Sequence, residues 1–167
     1  QILRSKERAS RSAEAEQAVE ALIDASQFDY PDVMLSSETD SLLNRRRSLV
    51  QQTGYDWASY LRMISKTEDE MREELRAEAA RRIARRIVLS EFARAETIDL
   101  SEDESNQAMQ TWYMSIAATY GRRAEEAATQ MVRNGAVNAV LAEALTDKAA
   151  GHLADIATGR ATATAAS

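Results

Sequence analysis

The 167 residues are enough for one domain with a buried core, and a single proline and five glycines leave few places where a helix would break. Cysteine is absent, which excludes disulfides, thiolate metal sites and thiol catalysis and fits a reducing cytoplasm. The net charge of −6 comes with no dominant basic surface, so the electrostatic footprint of a direct nucleic-acid partner is missing.

Alanine, glutamate, arginine and leucine abound, while β-branched and aromatic residues are sparse. That is an all-α composition. Alanine inflates the hydrophobic share of 44%, so an open arrangement of helices is expected rather than a thick core. No stretch approaches the roughly 20 apolar residues of a membrane span, and residues 1–12 are polar and lack the apolar core of a signal peptide. No membrane partner is expected. The chain begins without methionine, inside a polar helical pattern, and reads as part of something longer.

Helix one is expected over about residues 4–25, with an apolar stripe only at Ala15, Ala18, Val19, Leu22 and Ile23. Its polar first half suits a linker helix. Pro31 fits the first turn of helix two, which runs to about residue 53 and is closed by Gly54. Leu35, Leu42 and Leu49 lie seven apart, and Leu43 and Val50 repeat that step, giving one apolar stripe. A short helix three covers about residues 56–64, with Trp57, Tyr60, Leu61 and Ile64 on one face.

Thr67-Glu68-Asp69-Glu70 reads as a capping box that opens a long helix four to about residue 95. Met71, Leu75, Ala79, Ile83 and Ile87 step by four along it. Ser101-Glu102-Asp103-Glu104 is a second capping box, with three acids at the positive end of the dipole of helix five. Met109, Trp112, Tyr113, Ile116 and Tyr120 fit the helical repeat there, and Gly121 ends it. Helix six is expected over about residues 123–134. Helix seven is expected over about residues 136–158, with Val140, Leu141, Ala144, Leu145, Leu153 and Ile156 inward. The tail from residue 160 to 167 has nothing to pack against and is expected to be flexible. Short connections imply antiparallel hairpins. Helices two and four, roughly 30–40 Å long, suggest an elongated domain with arm-like projections.

The order of these signals resembles a known family. Ala18-Val19-Glu20-Ala21-Leu22-Ile23 leads through a short loop to Tyr30-Pro31-Asp32-Val33-Met34-Leu35-Ser36-Ser37-Glu38. Glu73-Glu74-Leu75-Arg76-Ala77-Glu78-Ala79 runs into Ile83-Ala84-Arg85-Arg86-Ile87-Val88-Leu89. Glu96-Thr97-Ile98-Asp99-Leu100 meets the second capping box, and Leu145-Thr146-Asp147-Lys148-Ala149-Ala150-Gly151-His152-Leu153 closes the series. This succession resembles the C-terminal substrate-cradling domain of the bacterial trigger factor chaperones, over residues 13–159. The resemblance implies an ATP-independent holdase, whose body and two helical arms bind unfolded or nascent polypeptides. It implies no catalytic residue and no cofactor in these residues. The family's ribosome-binding loop and β-rich prolyl-isomerase domain find no counterpart here, so ribosome contact would belong to an N-terminal domain. Residues 1–159 are taken as one such domain.

Enzyme sites are poorly supported by the residues themselves. His152 is the only histidine, and with Asp147, Lys148 and Asp155 it reads as a surface or packed histidine. Without cysteine, a zinc site is not expected. For the basic clusters Arg45-Arg46-Arg47 and Arg81-Arg82 with Arg85-Arg86 the favoured reading is intrahelical ion pairs, Glu78 to Arg82 for example, with an anionic partner as the alternative.

Methionine and amphipathic aromatic side chains offer apolar contact without a fixed shape, as a generalist binder requires. The candidates are Met34, Leu42, Tyr55, Trp57, Tyr60, Met63, Met71, Met109, Trp112, Tyr113 and Met114, with ordinary core as the competing reading. Met63 and Met114 lie off the apolar stripes and are the better candidates. A cradle predicts exposed apolar residues on helices two, four and five. Three alternatives stand beside it: a periplasmic chaperone domain of the SurA type, a helical scaffold with one defined partner and one continuous seam, and a helical DNA-binding regulator, which the balanced charge disfavours. Oligomeric state is left open, a homodimer through exposed arms being one outcome.

Overall fold

The computed structural model describes the backbone of residues 2–164 and the side chains of residues 10–164. Among the described residues, seven α-helices follow in order: α1 (Ile2–Asp24), α2 (Asp32–Gln52), α3 (Trp57–Met63), α4 (Glu68–Ala95), α5 (Glu102–Tyr120), α6 (Ala124–Arg133) and α7 (Ala136–Ala157). One 3₁₀ turn, Gly121–Arg123, joins α5 to α6, and no strand occurs among the described residues. The protein is all-α, and each helix lies within two residues of its expected bounds.

Local chemistry explains the starts. The Thr67 N–H donates to Glu70 Oε2 at 2.7 Å, and the Glu70 N–H donates to Thr67 Oγ1 at 3.2 Å. Ser101 and Glu104 repeat this reciprocal cap at 2.8 and 3.2 Å. Asp56 caps α3 by accepting the Ser59 N–H at 2.9 Å. Pro31 differs from expectation: with φ −60° and ψ 142° it is the extended residue before α2, which opens at Asp32. Its missing N–H costs nothing at that place.

The ends are less uniform. Gly54 closes α2 at φ +85°, a conformation glycine adopts without strain. Yet α3 and α4 close on left-handed Ser65 (φ 55°) and Thr97 (φ 57°). Both make the Schellman pair of bonds: Lys66 N–H to the Leu61 carbonyl at 3.0 Å with Ser65 N–H to Arg62 at 3.1 Å, and Ile98 N–H to the Ala93 carbonyl at 2.8 Å with Thr97 N–H to Arg94 at 3.3 Å.

The chain forms two compact units, residues 23–87 and residues 1–22 with 88–167. In the first, Leu35, Leu42 and Leu43 of α2 pack with Leu61 of α3 and with Met71, Leu75, Ala79 and Ile83 of α4. Tyr30, Met34, Trp57, Tyr60, Ile64 and Ile87 cover that core partly. Charged pairs cross from α2 to α4 around it: Arg47 to Glu68 at 2.8 Å, Arg72 to Asp40 at 2.5 Å, Arg86 to Glu38 at 3.7 Å. The expected intrahelical pair also forms, Arg82 to Glu78 at 2.9 Å, while Arg72 and Arg86 of the same helix pair across to α2.

In the second unit, Ile116 of α5 packs with Ala124 and Ala128 of α6, partly covered by Trp112 and Met131. Helix α7 buries Ala149, Ala150 and Ala154. The residues expected inward, Val140, Leu141, Ala144, Leu145, Leu153 and Ile156, are only half-buried. The most deeply buried places on α7 are thus held by alanine.

The segment after α7 is held where a free tail was expected. The Arg160 guanidinium reaches Glu14 Oε2 at 2.7 Å and Asp155 Oδ1 at 2.8 Å, and the Thr164 N–H donates to the nearly buried Glu96 at 2.7 Å. Residues 165–167 of that tail lie outside the described residues.

Gly151 sits inside α7, and a Cβ added there would meet open space. Gly151→Ala should therefore stabilise the protein by about 0.5–1 kcal/mol, through reduced freedom of the unfolded chain. A urea titration checks it, and a loss of stability would place a close neighbour at that site.

Candidate functional site

The eleven candidate residues separate into three environments. Leu42 and Met71 are core residues of the first unit, occupied by packing. Met34, Trp57, Tyr60, Met109 and Trp112 are half-buried. Tyr55, Met63, Tyr113 and Met114 face solvent, led by Met63 at 63% and Met114 at 64% exposure.

Trp57 and Tyr60 are held rather than loose. Their rings stack with centroids 5.5 Å apart. Trp57 Nε1 donates to Glu68 Oε2 at 2.7 Å, and the Arg47 guanidinium lies 5.5 Å from the ring centre. The indole donor, then Arg47, hold the Glu68 carboxyl below the usual carboxylate range. These side chains give α3 a fixed apolar face with a polar edge.

In the second unit, α5 and α7 flank an open groove of about 650 Å³. Leu100, Ala108, Trp112, Val140 and Ala144 supply its apolar lining, and Glu104, Glu143, Asp147 and Lys148 its charges. Lys148 Nζ donates to Glu104 at 2.7 Å and to the Asp99 carbonyl at 2.8 Å, tying α7 to the start of α5. That bond, with the Ser101 backbone and hydroxyl, pushes the Glu104 carboxyl down to about 2. His152 does not join Asp147, Lys148 and Asp155 in one cluster. Its Nε2 stands 3.6 Å from Glu96, its ring is 6.1 Å from that of Phe92, and Asp155 pairs with Arg160. No group of three potential metal ligands occurs among the described residues.

Four exposed apolar residues escaped the candidate set: Val33 and Leu49 on α2, Tyr120 at the end of α5 and Val132 on α6. Leu49 and Tyr120 fit the apolar repeats of their helices, yet both are exposed, at 54% and 47%. Helix α4 contributes none of the exposed large apolar residues, contrary to expectation. None of the described helices is long and apolar enough to cross a membrane.

The fold and this surface define an all-α domain that presents separate methionine, tyrosine and aliphatic side chains to solvent on both of its units. The family model for the bacterial trigger factor protein C-terminus matches residues 1–155, and the chain belongs to that family. Among relatives, it is 23% identical over 125 residues to the trigger factor of Agathobacter rectalis, covering 75% of this chain and 27% of the relative. It is 26% identical over 140 residues to that of Exiguobacterium sibiricum, covering 84% of this chain and 32% of the relative. A stretch of 101 residues is 32% identical to the trigger factor of Clostridium botulinum strain Eklund 17B, covering 60% and 23%. The chain thus spans about a quarter to a third of these relatives. No solved structure matches it.

Proposed function

We propose that this chain is the polypeptide-holding part of an ATP-independent chaperone, binding unfolded or nascent segments reversibly on its exposed apolar side chains. The observation that carries this reading is the exposure of Met63 and Met114, one in each unit and both off the stripes that build the cores. Thioether side chains are flexible and polarizable, so they adapt to many partner shapes. A client burying about 400 Å² of apolar surface would gain on the order of 10 kcal/mol. Lost translational freedom and ordered side chains remove most of that gain. Binding would be modest and release would need no nucleotide. Ribosome docking and prolyl isomerisation would belong to parts of the longer relatives outside the matched stretch, and the working compartment would be the cytoplasm. The exposed residues are spread over α2, α3, α5 and α6. A single-partner scaffold would need one seam, and the family match supports trigger factor rather than a SurA-type chaperone.

The test is aggregation of a chemically unfolded model enzyme on dilution, with stoichiometric protein and no nucleotide. Dose-dependent suppression is expected, and Met63→Glu with Met114→Glu should weaken it at unchanged helicity. A well-folded chain that suppresses nothing would overturn the reading.

A further inference from the structure

Exposed methionine and tyrosine leave one part of the surface unexplained. Leu42, Arg45, Arg46 and Leu49 stand at i, i+3, i+4 and i+7, on one face of α2. With Leu75, Glu78 and Arg82 of α4 they line an open groove of about 250 Å³, inside a single unit. Leu42 and Leu75 give it an apolar floor, and Leu49 at its edge is 54% exposed.

The rim carries three guanidinium groups against one carboxylate, that of Glu78, and Arg82 already engages it. The next arginine along, Arg47, is tied to Glu68 and stacked near Trp57. Arg45 and Arg46 form no ion pair or hydrogen bond among the described residues. An unburied leucine thus lies beside two cations that no carboxylate of the described chain neutralises. An occupant that covers Leu49 with an apolar side chain and brings a carboxylate to the two guanidiniums satisfies both at once. Forked guanidinium donors match a carboxylate's two oxygens.

We propose that this groove takes an acidic, apolar polypeptide segment, with a leucine- or phenylalanine-sized side chain next to a carboxylate side chain. The proposal rests on the polypeptide-binding reading above and gives that activity a charge preference. A polypeptide suits the groove better than a nucleic acid. The floor is aliphatic and offers no aromatic ring for a base to stack on. The volume holds about one large side chain, not a run of nucleotides.

Fluorescence anisotropy on the full chain decides this, using labelled peptides that alternate leucine with glutamate, glutamine or lysine. At low salt the glutamate peptide should bind about 5–10-fold tighter than the glutamine peptide, and the difference should shrink with added salt. In the variant Arg45→Gln with Arg46→Gln, both exposed positions, the glutamate peptide should fall to the affinity of the glutamine peptide, which itself stays unchanged. Leu49→Gln should weaken both. Equal binding of the three peptides by the wild type would overturn the proposal, as would a preference that survives the double arginine variant. Stronger competition from a single-stranded oligonucleotide of equal charge would overturn it in favour of a polyanion site. Aggregation suppression without any charge preference would sink this groove and leave the chaperone reading standing. Loss of both would sink the two together.

Discussion

Replacing Ile83 by alanine should lower the free energy of unfolding by about 2–5 kcal/mol. Ile83 is 0% exposed and lies in the core where α2, α3 and α4 meet. The substitution removes apolar atoms from a closed environment and leaves a cavity that the surrounding leucines fill only in part. Leu49→Ala is the matched control on the same pair of helices. Leu49 is 54% exposed, so the same kind of truncation should change stability by no more than about 0.5 kcal/mol. Urea titrations followed by far-ultraviolet circular dichroism measure both. Similar small losses would mean that Ile83 is not enclosed and that the α2–α4 core is misassigned. The contrast matters for function, because the groove beside Leu49 keeps its shape only if the layer beneath it is rigid.

That contrast also shows where sequence periodicity stops being informative. Leu35, Leu42 and Leu49 repeat every seven residues, which suggests one stripe. A straight helix drifts about 20° per heptad, so a strict seven-residue line walks off the buried face. Leu42 and Leu43 are both buried, but one heptad on only Val50 stays in, and Leu49, at the edge of the face, has come out into solvent. Helix starts were legible because Thr67 and Ser101 with their glutamates spell out the cap in local sequence. Two helix ends were not: Ser65 and Thr97 take a left-handed backbone with no glycine to announce it, and only the Schellman bonds reveal the stop. Within the candidate surface, Met63 and Met114 could be singled out because they break the local stripe. The pairing of Arg45 and Arg46 with Leu75 and Arg82 could not, because it depends on how two helices distant in sequence are set against each other.

Alanine content, which in the sequence only inflated the apolar fraction, carries a second large prediction. Ala149→Leu should destabilise the protein by about 1–3 kcal/mol, although leucine is nearly as good a helix former as alanine. Ala149 is 0% exposed and Ala150 and Ala154 are 5% and 3% exposed, whereas the larger Leu145, Leu153 and Ile156 of the same helix stay half-buried. Helix α7 therefore buries its small residues most deeply. A leucine at 149 would need three more carbon atoms of room between close backbones and would force rotamers or helices to shift. Ala142→Leu on the exposed side of α7 should stay within about 0.5 kcal/mol of the wild type. Urea titration again separates the two, and a stabilised Ala149→Leu protein would reveal unfilled space instead. If the loss is observed, the large apolar side chains of α7 remain at the half-exposed margin because alanine occupies the centre. Among them Val140 lines the groove beside Trp112, next to the small Ala144. Small-residue packing would then be the means by which this unit keeps apolar surface available to a client while holding its own helices together.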